Sequence, residues 1–362
     1  MARPQVRRSV ALMEGYHSPQ VDVAVRLNTN EAPEPPPAAF VEALKAALDG
    51  VAWHRYPDRA ATALRARIAE VEGPLVPAGI LAPNVFAANG SNEVLQTLCL
   101  AYGGPDRTVL TFEPTYALHS HIAKVCGTEV IEIARQDDFT LDVDLAVTTI
   151  RERRPTITFL CSPNNPTGRV EDGSTVRAVL DAVESVDGLL VVDEAYGQFS
   201  PWSALSLVAE DRSVVVTRTY SKTWSAAALR LGYLIGPTWV VDELDKVVLP
   251  YHLDVVTQLA GVLALDHLME MQLRVSSLVE ERGRVSAALG EMAVDQWPSG
   301  ANFILFRPRD RDGDDVWQQL VDRSVLVRNC SSWPRLEGCL RVTLGTRDED
   351  DTFLAMLGEA LG

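Results

Sequence analysis

The stretch Thr217-Arg-Thr-Tyr-Ser-Lys222-Thr-Trp-Ser-Ala-Ala-Ala-Leu-Arg230-Leu-Gly-Tyr233 follows an apolar run at 214–216. The apolar run predicts a buried strand, and this strand ends in small hydroxyl residues around one lysine. The chain has four lysines, and the other three lie in amphipathic or charged segments that are typical of solvated positions. The surroundings of Lys222 therefore indicate a chemical role, with a plain surface loop as the alternative.

Lys222 is expected to have a lowered pKa, because burial at a strand end and a nearby arginine both disfavour the ammonium form. A neutral amine at physiological pH can form a Schiff base with a carbonyl compound. The hydroxyls of Thr219 and Ser221 and the guanidinium of Arg230 would supply hydrogen-bond donors for a phosphate group beside it.

The order of apolar run, polar turn and helical stretch recurs along the chain from about residue 85. Apolar runs at 85–88, 108–112, 156–160 and 189–192 lead into Gly90-Ser-Asn-Glu93, Glu113-Pro-Thr-Tyr116, Ser162-Pro-Asn-Asn-Pro-Thr-Gly168 and Asp193-Glu-Ala-Tyr196, respectively. This repetition predicts an α/β fold with a doubly wound, mostly parallel sheet. The polar turns then fall at the C-terminal ends of the strands, the edge at which open α/β sheets bind ligands.

A second, smaller α+β domain is expected in the C-terminal part of the chain. After residue 252 a long helical region runs to about 289, and short strands are predicted around 302–306, 325–328 and 339–344. We expect three parts along the chain. They are an N-terminal arm and first helix over 1–48 that packs with the small domain or a partner subunit, a large ligand-binding domain over 49–255, and a small C-terminal domain over 256–362.

The composition argues against several classes of protein. A net charge of −16 disfavours binding to nucleic acid or to an anionic membrane surface. The apolar runs are shorter than the roughly 18 residues of a membrane span. The basic N-terminus lacks the apolar stretch of a signal peptide, so a cytoplasmic protein is expected.

The five cysteines contain no Cys-x-x-Cys pair and are predicted to be buried thiols. His119 and His121 are a poor metal pair, so no metal site is expected.

Other residues have surroundings that require a charged or aromatic neighbour. Asp193 follows four apolar residues, so its carboxylate needs a cationic partner, and a protonated pyridine nitrogen would be one. Arg341 lies within an apolar strand pattern and needs an anion, either a substrate carboxylate or the acid of a structural salt bridge. Tyr116 would stack on a flat cofactor or belong to the core. The turn at 90–93 would cradle a phosphate or serve as a plain N-cap.

Together these groups describe one chemistry. An aldehyde-reactive lysine, phosphate donors, a stacking aromatic ring, an acid for a ring nitrogen and an arginine for a carboxylate are what pyridoxal phosphate needs to act on an amino acid.

The order and spelling of the motifs resemble the class I/II (fold type I) aminotransferases over essentially the whole chain, and within them the histidinol-phosphate aminotransferase branch. The motifs that carry this resemblance are Arg26-Leu-Asn-Thr-Asn-Glu31, Arg55-Tyr-Pro-Asp58, Asn89-Gly-Ser-Asn-Glu93, Ser162-Pro-Asn-Asn-Pro-Thr-Gly168, Asp193-Glu-Ala-Tyr196, Ser221-Lys222, Leu229-Arg-Leu-Gly232 and Leu340-Arg-Val-Thr343. The motif at 162–168 and the Ser-Lys and Arg-Leu-Gly pair are specific for the superfamily. The arm with Tyr16 and the stretch at 27–31 narrow the resemblance to the branch.

The resemblance implies pyridoxal 5'-phosphate as the cofactor and a role for each matching residue. Lys222 would be the Schiff-base lysine and then the general base, and Asp193 would pair with the pyridine nitrogen. Tyr196 and Asn165 would donate to the phenolic oxygen of the cofactor, and Tyr116 would stack on its ring. The implied phosphate ligands are Ser91, Asn92, Thr219, Ser221, Arg230 and, from a neighbouring subunit, Tyr56. Among the implied substrate residues, Arg341 would bind the carboxylate of glutamate and would lie near the phosphate end of histidinol phosphate. The other implied substrate residues are Arg328, Tyr16, Asn30 and Tyr251.

The implied reaction is transamination of L-histidinol phosphate with 2-oxoglutarate by a homodimer that takes small-molecule substrates. Trp224 and His17 depart from the family pattern, and these departures are compatible with a different amino donor. The alternatives are a transaminase for phenylalanine or tyrosine and a decarboxylase of the phosphothreonine type. A ligand sensor on the same fold would need an added DNA-binding segment, for which the N-terminal arm is too short.

Overall fold

The computed structural model describes residues 4–11, 13, 15 and 21–362. The helices are α1 (Arg8–Ala11), α2 (Ala38–Leu48), α3 (Thr62–Glu72), α4 (Ser91–Tyr102), α5 (Leu118–Val125), α6 (Val143–Arg153), α7 (Gly173–Glu184), α8 (Tyr220–Thr223), α9 (Thr238–Val247), α10 (Val255–Ala264), α11 (Leu268–Gly290), α12 (Gly313–Asp322) and α13 (Arg347–Leu361). The strands are β1 (Val25–Leu27), β2 (Val85–Ala88), β3 (Thr108–Glu113), β4 (Glu129–Ala134), β5 (Ile157–Cys161), β6 (Leu189–Asp193), β7 (Val214–Thr219), β8 (Gly232–Ile235), β9 (Val294–Gln296), β10 (Phe303–Pro308), β11 (Val325–Asn329) and β12 (Leu340–Thr343).

The larger sheet has seven strands in the order β2-β8-β7-β6-β5-β3-β4. Its strand pairs are parallel except for those that β8 makes with β2 and with β7. The predicted α/β fold with a doubly wound, mostly parallel sheet is therefore confirmed.

Helices cover both faces of this sheet, and β7 shows how its residues divide between them. Val214 and Val216 pack into one hydrophobic cluster with residues of α3 and α7. Val215 packs into a second cluster with residues of α4, α5 and α9. Strands that are buried on both faces are apolar at consecutive positions, which explains the continuous apolar runs of the sequence.

The smaller sheet has five strands in the order β1-β11-β12-β10-β9. β1 pairs with β11 in parallel, with Val25 opposite Val325, and the other pairs are antiparallel. Residues of α11, α12 and α13 share a hydrophobic cluster with this sheet, which confirms the predicted smaller α+β part. The N-terminal segment thus supplies an edge strand to a sheet formed mostly by the C-terminal part of the chain.

Several features differ from the sequence-based expectations. The strands β1, β4, β8 and β9 and the helices α1, α6 and α9 were not predicted. The long helical region is divided by a turn of 3-10 helix at Leu265–His267 into α10 and α11. All five cysteines are free thiols, but Cys126 is only partly buried, so the prediction of buried thiols is wrong at that position. Within the described residues, no helix combines the length and the apolarity needed to cross a bilayer.

Candidate active site

A cavity of about 430 Å3 opens at the edge of the large sheet where the parallel strands end, and residues of the small sheet form its other wall. The structure brings thirteen of the predicted site residues to this cavity: Asn30, Ser91, Asn92, Tyr116, Asn165, Asp193, Tyr196, Thr219, Ser221, Lys222, Arg230, Arg328 and Arg341. Residues that are far apart in the sequence therefore meet at the edge that the strand pattern indicated.

The reversed direction of β8 explains how Arg230 reaches this edge. β8 is paired with β7 so that Gly232 lies opposite Thr219, the last residue of β7. Because the two strands are antiparallel, β8 begins where β7 ends, and Arg230, two residues before β8, stands beside the turn that carries Lys222. Arg230 Nη1 lies 3.4 Å from the Ser221 hydroxyl, to which it donates a hydrogen bond.

The amino end of α4 forms the floor of this part of the cavity, and two glycines let the neighbouring groups approach it. Gly90 precedes α4 with φ of +79°, and a Cβ there would stand 2.8 Å from Arg230 Nη2. A Cβ on Gly232 would collide with the backbone nitrogen of Ser91. A helix amino terminus, hydroxyl groups and a guanidinium gathered in this way suit a phosphate group.

Lys222 projects from α8 into the middle of the cavity. Its Nζ donates a hydrogen bond of 3.0 Å to the backbone oxygen of Thr29 and lies 6.0 Å from the ring centre of Tyr196. Burial, then the charge of Arg341 and, to a lesser extent, that of Arg230 lower the pKa of Lys222 to about 8, and Glu31 opposes them. At physiological pH a substantial fraction of this amine is therefore neutral and nucleophilic.

Asp193, the last residue of β6, has a partner that the motifs did not indicate. Its Oδ2 lies 2.9 Å from His119 Nε2, and both side chains are buried. The His119 ring stacks on Phe159 and meets the Tyr116 ring edge-on. Among the described residues, His119 Nδ1 has no hydrogen-bond partner, which favours the tautomer with the proton on Nε2. The sequence motifs indicated His119 only as half of a poor metal pair, and its place at the start of α5, three residues after Tyr116, was a usable signal.

Tyr196 connects the two walls of the cavity. Its hydroxyl oxygen accepts a hydrogen bond of 2.8 Å from Asn30 Nδ2, and Asn30 is itself bonded through its backbone nitrogen and its side-chain oxygen to the hydroxyl of Thr343 on β12. Burial raises the pKa of Tyr196 to about 12. The phenol therefore keeps its proton at physiological pH and can donate it in a hydrogen bond.

Arg341 lies on β12 and is 5% exposed. It donates hydrogen bonds to Asn165 Oδ1 and, at 2.9 Å, to the backbone oxygen of Asn28. These two hydrogen bonds fix the guanidinium at the small-sheet wall of the cavity. Because Arg341 engages Oδ1 of Asn165, the amide nitrogen of Asn165 is left in the position of a donor.

Two predicted site residues that the structure describes, Tyr56 and Tyr251, are not brought into the cavity of the single chain. Tyr56 and Tyr251 stack on each other at the surface, with ring centres 4.5 Å apart, and Tyr56 is 79% exposed. Tyr16, like His17, lies outside the described residues. Trp224, the other departure from the family pattern, is buried in the core, where it stacks on Tyr220.

The family model of aminotransferase class I and II matches residues 22–357. The chain belongs to this family of α/β enzymes. The histidinol-phosphate aminotransferase of Mycolicibacterium smegmatis is 43% identical over 351 residues, which are 96% of this chain and 91% of that protein. The protein of the same name from Frankia casuarinae is 44% identical over 98% of this chain and 90% of its own length.

A solved structure agrees with the fold. The histidinol-phosphate aminotransferase of Sinorhizobium meliloti, solved in complex with pyridoxal-5'-phosphate, has a TM-score of 0.87 to this chain at 20% identity. The match covers 99% of this chain and 98% of that chain.

The enzyme is a transaminase that depends on pyridoxal phosphate, and the cavity residues fit this cofactor. The space between Gly90 and Arg230 suits its phosphate, Lys222 is an amine for its aldehyde, and Asp193 is a buried carboxylate for its ring nitrogen.

Proposed function

We propose that the enzyme transaminates L-histidinol phosphate with 2-oxoglutarate, giving imidazole acetol phosphate and glutamate in histidine biosynthesis. The observation that carries this proposal is the presence of cationic side chains on both walls of one cavity. Arg230 stands on the large-sheet wall, and Arg328 and Arg341 stand on the small-sheet wall, with Lys222 between them. Arg230 would hold the phosphate of the cofactor, and Arg328 and Arg341 would lie at the anionic end of a substrate.

Bound pyridoxal phosphate supplies an aldehyde for the amino group of the substrate and a ring that withdraws electrons from its Cα. With the cofactor bound, Lys222 would have the position and the lowered pKa to accept the proton of the substrate Cα and to release it again. The buried pair of Asp193 and His119 would keep the ring nitrogen protonated by placing a negative charge beside it. Tyr196 and Asn165 would donate hydrogen bonds to the ring oxygen.

We also propose a homodimer, in which each Tyr56 completes the phosphate end of the other subunit's cavity, and a cytoplasmic location. Tyr56 and Tyr251 form an exposed aromatic pair that a second subunit would cover. Sedimentation should then give about twice the chain mass of 39.6 kDa. A fully active monomer would contradict the shared site.

Product analysis tests the proposed reaction. The holoenzyme is incubated with L-histidinol phosphate and 2-oxoglutarate, and we expect one glutamate for each donor consumed. Phenylalanine, tyrosine and phosphothreonine are tested in parallel. If phenylalanine or tyrosine is turned over and histidinol phosphate is not, the enzyme is an aromatic transaminase. Release of CO2 from phosphothreonine without glutamate would identify a decarboxylase.

A further inference from the structure

Trp333 lies on the loop between β11 and β12 and lines the small-sheet wall of the cavity. Backbone hydrogen bonds across the loop include those from Trp333 N to Cys330 O and from Leu336 N to Trp333 O. Trp333 also packs against a small hydrophobic cluster that contains Leu336 and, from the large-sheet part of the chain, Phe139. This packing therefore holds the Trp333 indole at the wall of the cavity.

Arg328 places its guanidinium carbon 5.8 Å from the ring centre of Trp333. On the neighbouring strand, Arg341 is the residue directly opposite Arg328 in the antiparallel register. Residues that are directly opposite in this way point to the same face of a sheet, where two like charges repel each other. A cation lying against an aromatic ring is stabilised, so Trp333 offsets part of the cost of keeping a second guanidinium beside the first.

Two adjacent guanidiniums suit a phosphate better than they suit a single carboxylate. A phosphate monoester carries a charge of about −1.5 to −2 at neutral pH and has three acceptor oxygens. A carboxylate carries one charge and is satisfied by one bidentate arginine. Arg341 alone would serve the carboxylate next to the amino group of glutamate, whereas the donor's phosphate would gain from both arginines.

We propose that Trp333 is a positioning residue that holds Arg328 beside Arg341, and that it thereby favours amino donors that carry a phosphate. This inference rests on the function proposed above and deepens it. The inference predicts a change in selectivity: loss of the indole should raise KM for an amino donor that carries a phosphate much more than KM for glutamate.

The chain provides a matched control in a second tryptophan–arginine pair. Arg307 lies 5.7 Å from the ring centre of Trp297. Trp297 packs against the same small hydrophobic cluster as Trp333, but it lines a separate surface depression with Asp137 and Arg335. Trp297→Ala therefore removes a comparable ring from the same cluster at a distance from the cavity.

The experiment compares holoenzyme carrying Trp333→Ala, Trp333→Phe or Trp297→Ala with the unaltered enzyme. The half-reactions with L-histidinol phosphate and with L-glutamate are followed separately by absorbance. In Trp333→Ala we expect KM for histidinol phosphate to rise roughly tenfold, the scale of a partly desolvated cation–π contact, with kcat unchanged. In the same variant, KM for glutamate should change by less than about twofold. In Trp333→Phe, KM for histidinol phosphate should return most of the way to the value of the unaltered enzyme. Trp297→Ala should have the KM values of the unaltered enzyme.

Competitive inhibition of the glutamate half-reaction by inorganic phosphate gives a second readout that does not require the donor. Its inhibition constant should rise in Trp333→Ala by about the same factor as KM for histidinol phosphate. Equal losses with both substrates, or an unchanged inhibition constant, would overturn the role of Trp333. If the unaltered enzyme does not convert histidinol phosphate, the proposed function fails, and the phosphate inhibition still decides whether Trp333 supports an anion site.

Discussion

At the scale of single residues, the reactivity of Lys222 is set by its neighbours. The lowered pKa was expected from its place after a buried strand and near one arginine. The structure adds Arg341 as a second cation, and its effect is larger than that of Arg230. Arg341 is more than a hundred positions away in the sequence, and the fold brings its charge close enough to act on Lys222.

The pH dependence of cofactor capture follows from this environment. Only the neutral amine attacks an aldehyde, so a pKa of about 8 makes the rate rise with pH up to about 8 and level off above it. Stopped-flow absorbance of cofactor-free protein mixed with pyridoxal phosphate measures this rate, with Lys222→Arg as the background. Arg341→Gln should move the midpoint upward because it removes a cation. A midpoint near 10 in the unaltered protein would show that Lys222 has an ordinary environment.

His119 is a second residue whose role can be tested alone. His119→Phe keeps the stacking on Phe159 but removes the hydrogen bond to the Asp193 carboxylate. Hydrogen bonds to charged groups contribute about 1.5–3 kcal/mol, so we expect the turnover number to fall roughly tenfold or more while the cofactor still binds. His121→Phe, two residues further along α5, is the control and should leave turnover unchanged. Equal turnover in both variants would make His119 a packing residue only.

At the scale of elements, burial decided which strands could be recognised from the sequence. The inner strands are apolar at consecutive positions because helices cover both faces. β4 is an edge strand in which exposed Glu129 and Glu132 alternate with partly or fully buried residues, and it went unrecognised. β8 also went unrecognised, and its antiparallel pairing with β7 fits the short connection from Thr219 to Gly232, which leaves little room for a parallel crossover.

The contact between α11 and α13 contains a carboxyl group that affects stability. Asp350 is buried, its Oδ1 accepts a hydrogen bond from Gly345 N, and burial together with Glu281 raises its pKa to about 7. Between about pH 4 and 7 the folded protein holds a proton that the unfolded chain has released. Folding stability attributable to Asp350 therefore falls as pH rises through this window.

Replacing Asp350 with asparagine should remove this pH dependence. Above pH 7 the variant avoids a buried negative charge. We expect its free energy of unfolding to exceed that of the unaltered protein by at least about 1 kcal/mol at pH 8, since the pKa is raised by more than one unit and each unit corresponds to about 1.4 kcal/mol. Near pH 5 the two proteins should differ little. Denaturant unfolding at both pH values measures the effect, and Asp351→Asn, at a partly exposed partner of Arg284, is the control. A variant that is less stable at pH 8 would contradict the assignment.

At the scale of the whole molecule, the sequence predicted the two-part α/β architecture and most of the residues that meet in the cavity. Most of those residues follow strands of the large sheet, and strands in one sheet bring their ends to a common edge. His119 and Trp333 were missed as site residues because their partners belong to other elements. The positions of Tyr56 and Tyr251 relative to a neighbouring cavity depend on a second subunit, which a single chain does not contain.

The most direct test of the account is an absorbance spectrum of the holoenzyme before and after addition of L-histidinol phosphate without any keto acid. We predict that the band of the cofactor bound to Lys222 is present and is replaced by the spectrum of pyridoxamine phosphate. Addition of 2-oxoglutarate should then restore the original band. A cofactor band that histidinol phosphate leaves unchanged would contradict the proposed substrate, and the same band in Lys222→Ala would contradict the assignment of the lysine.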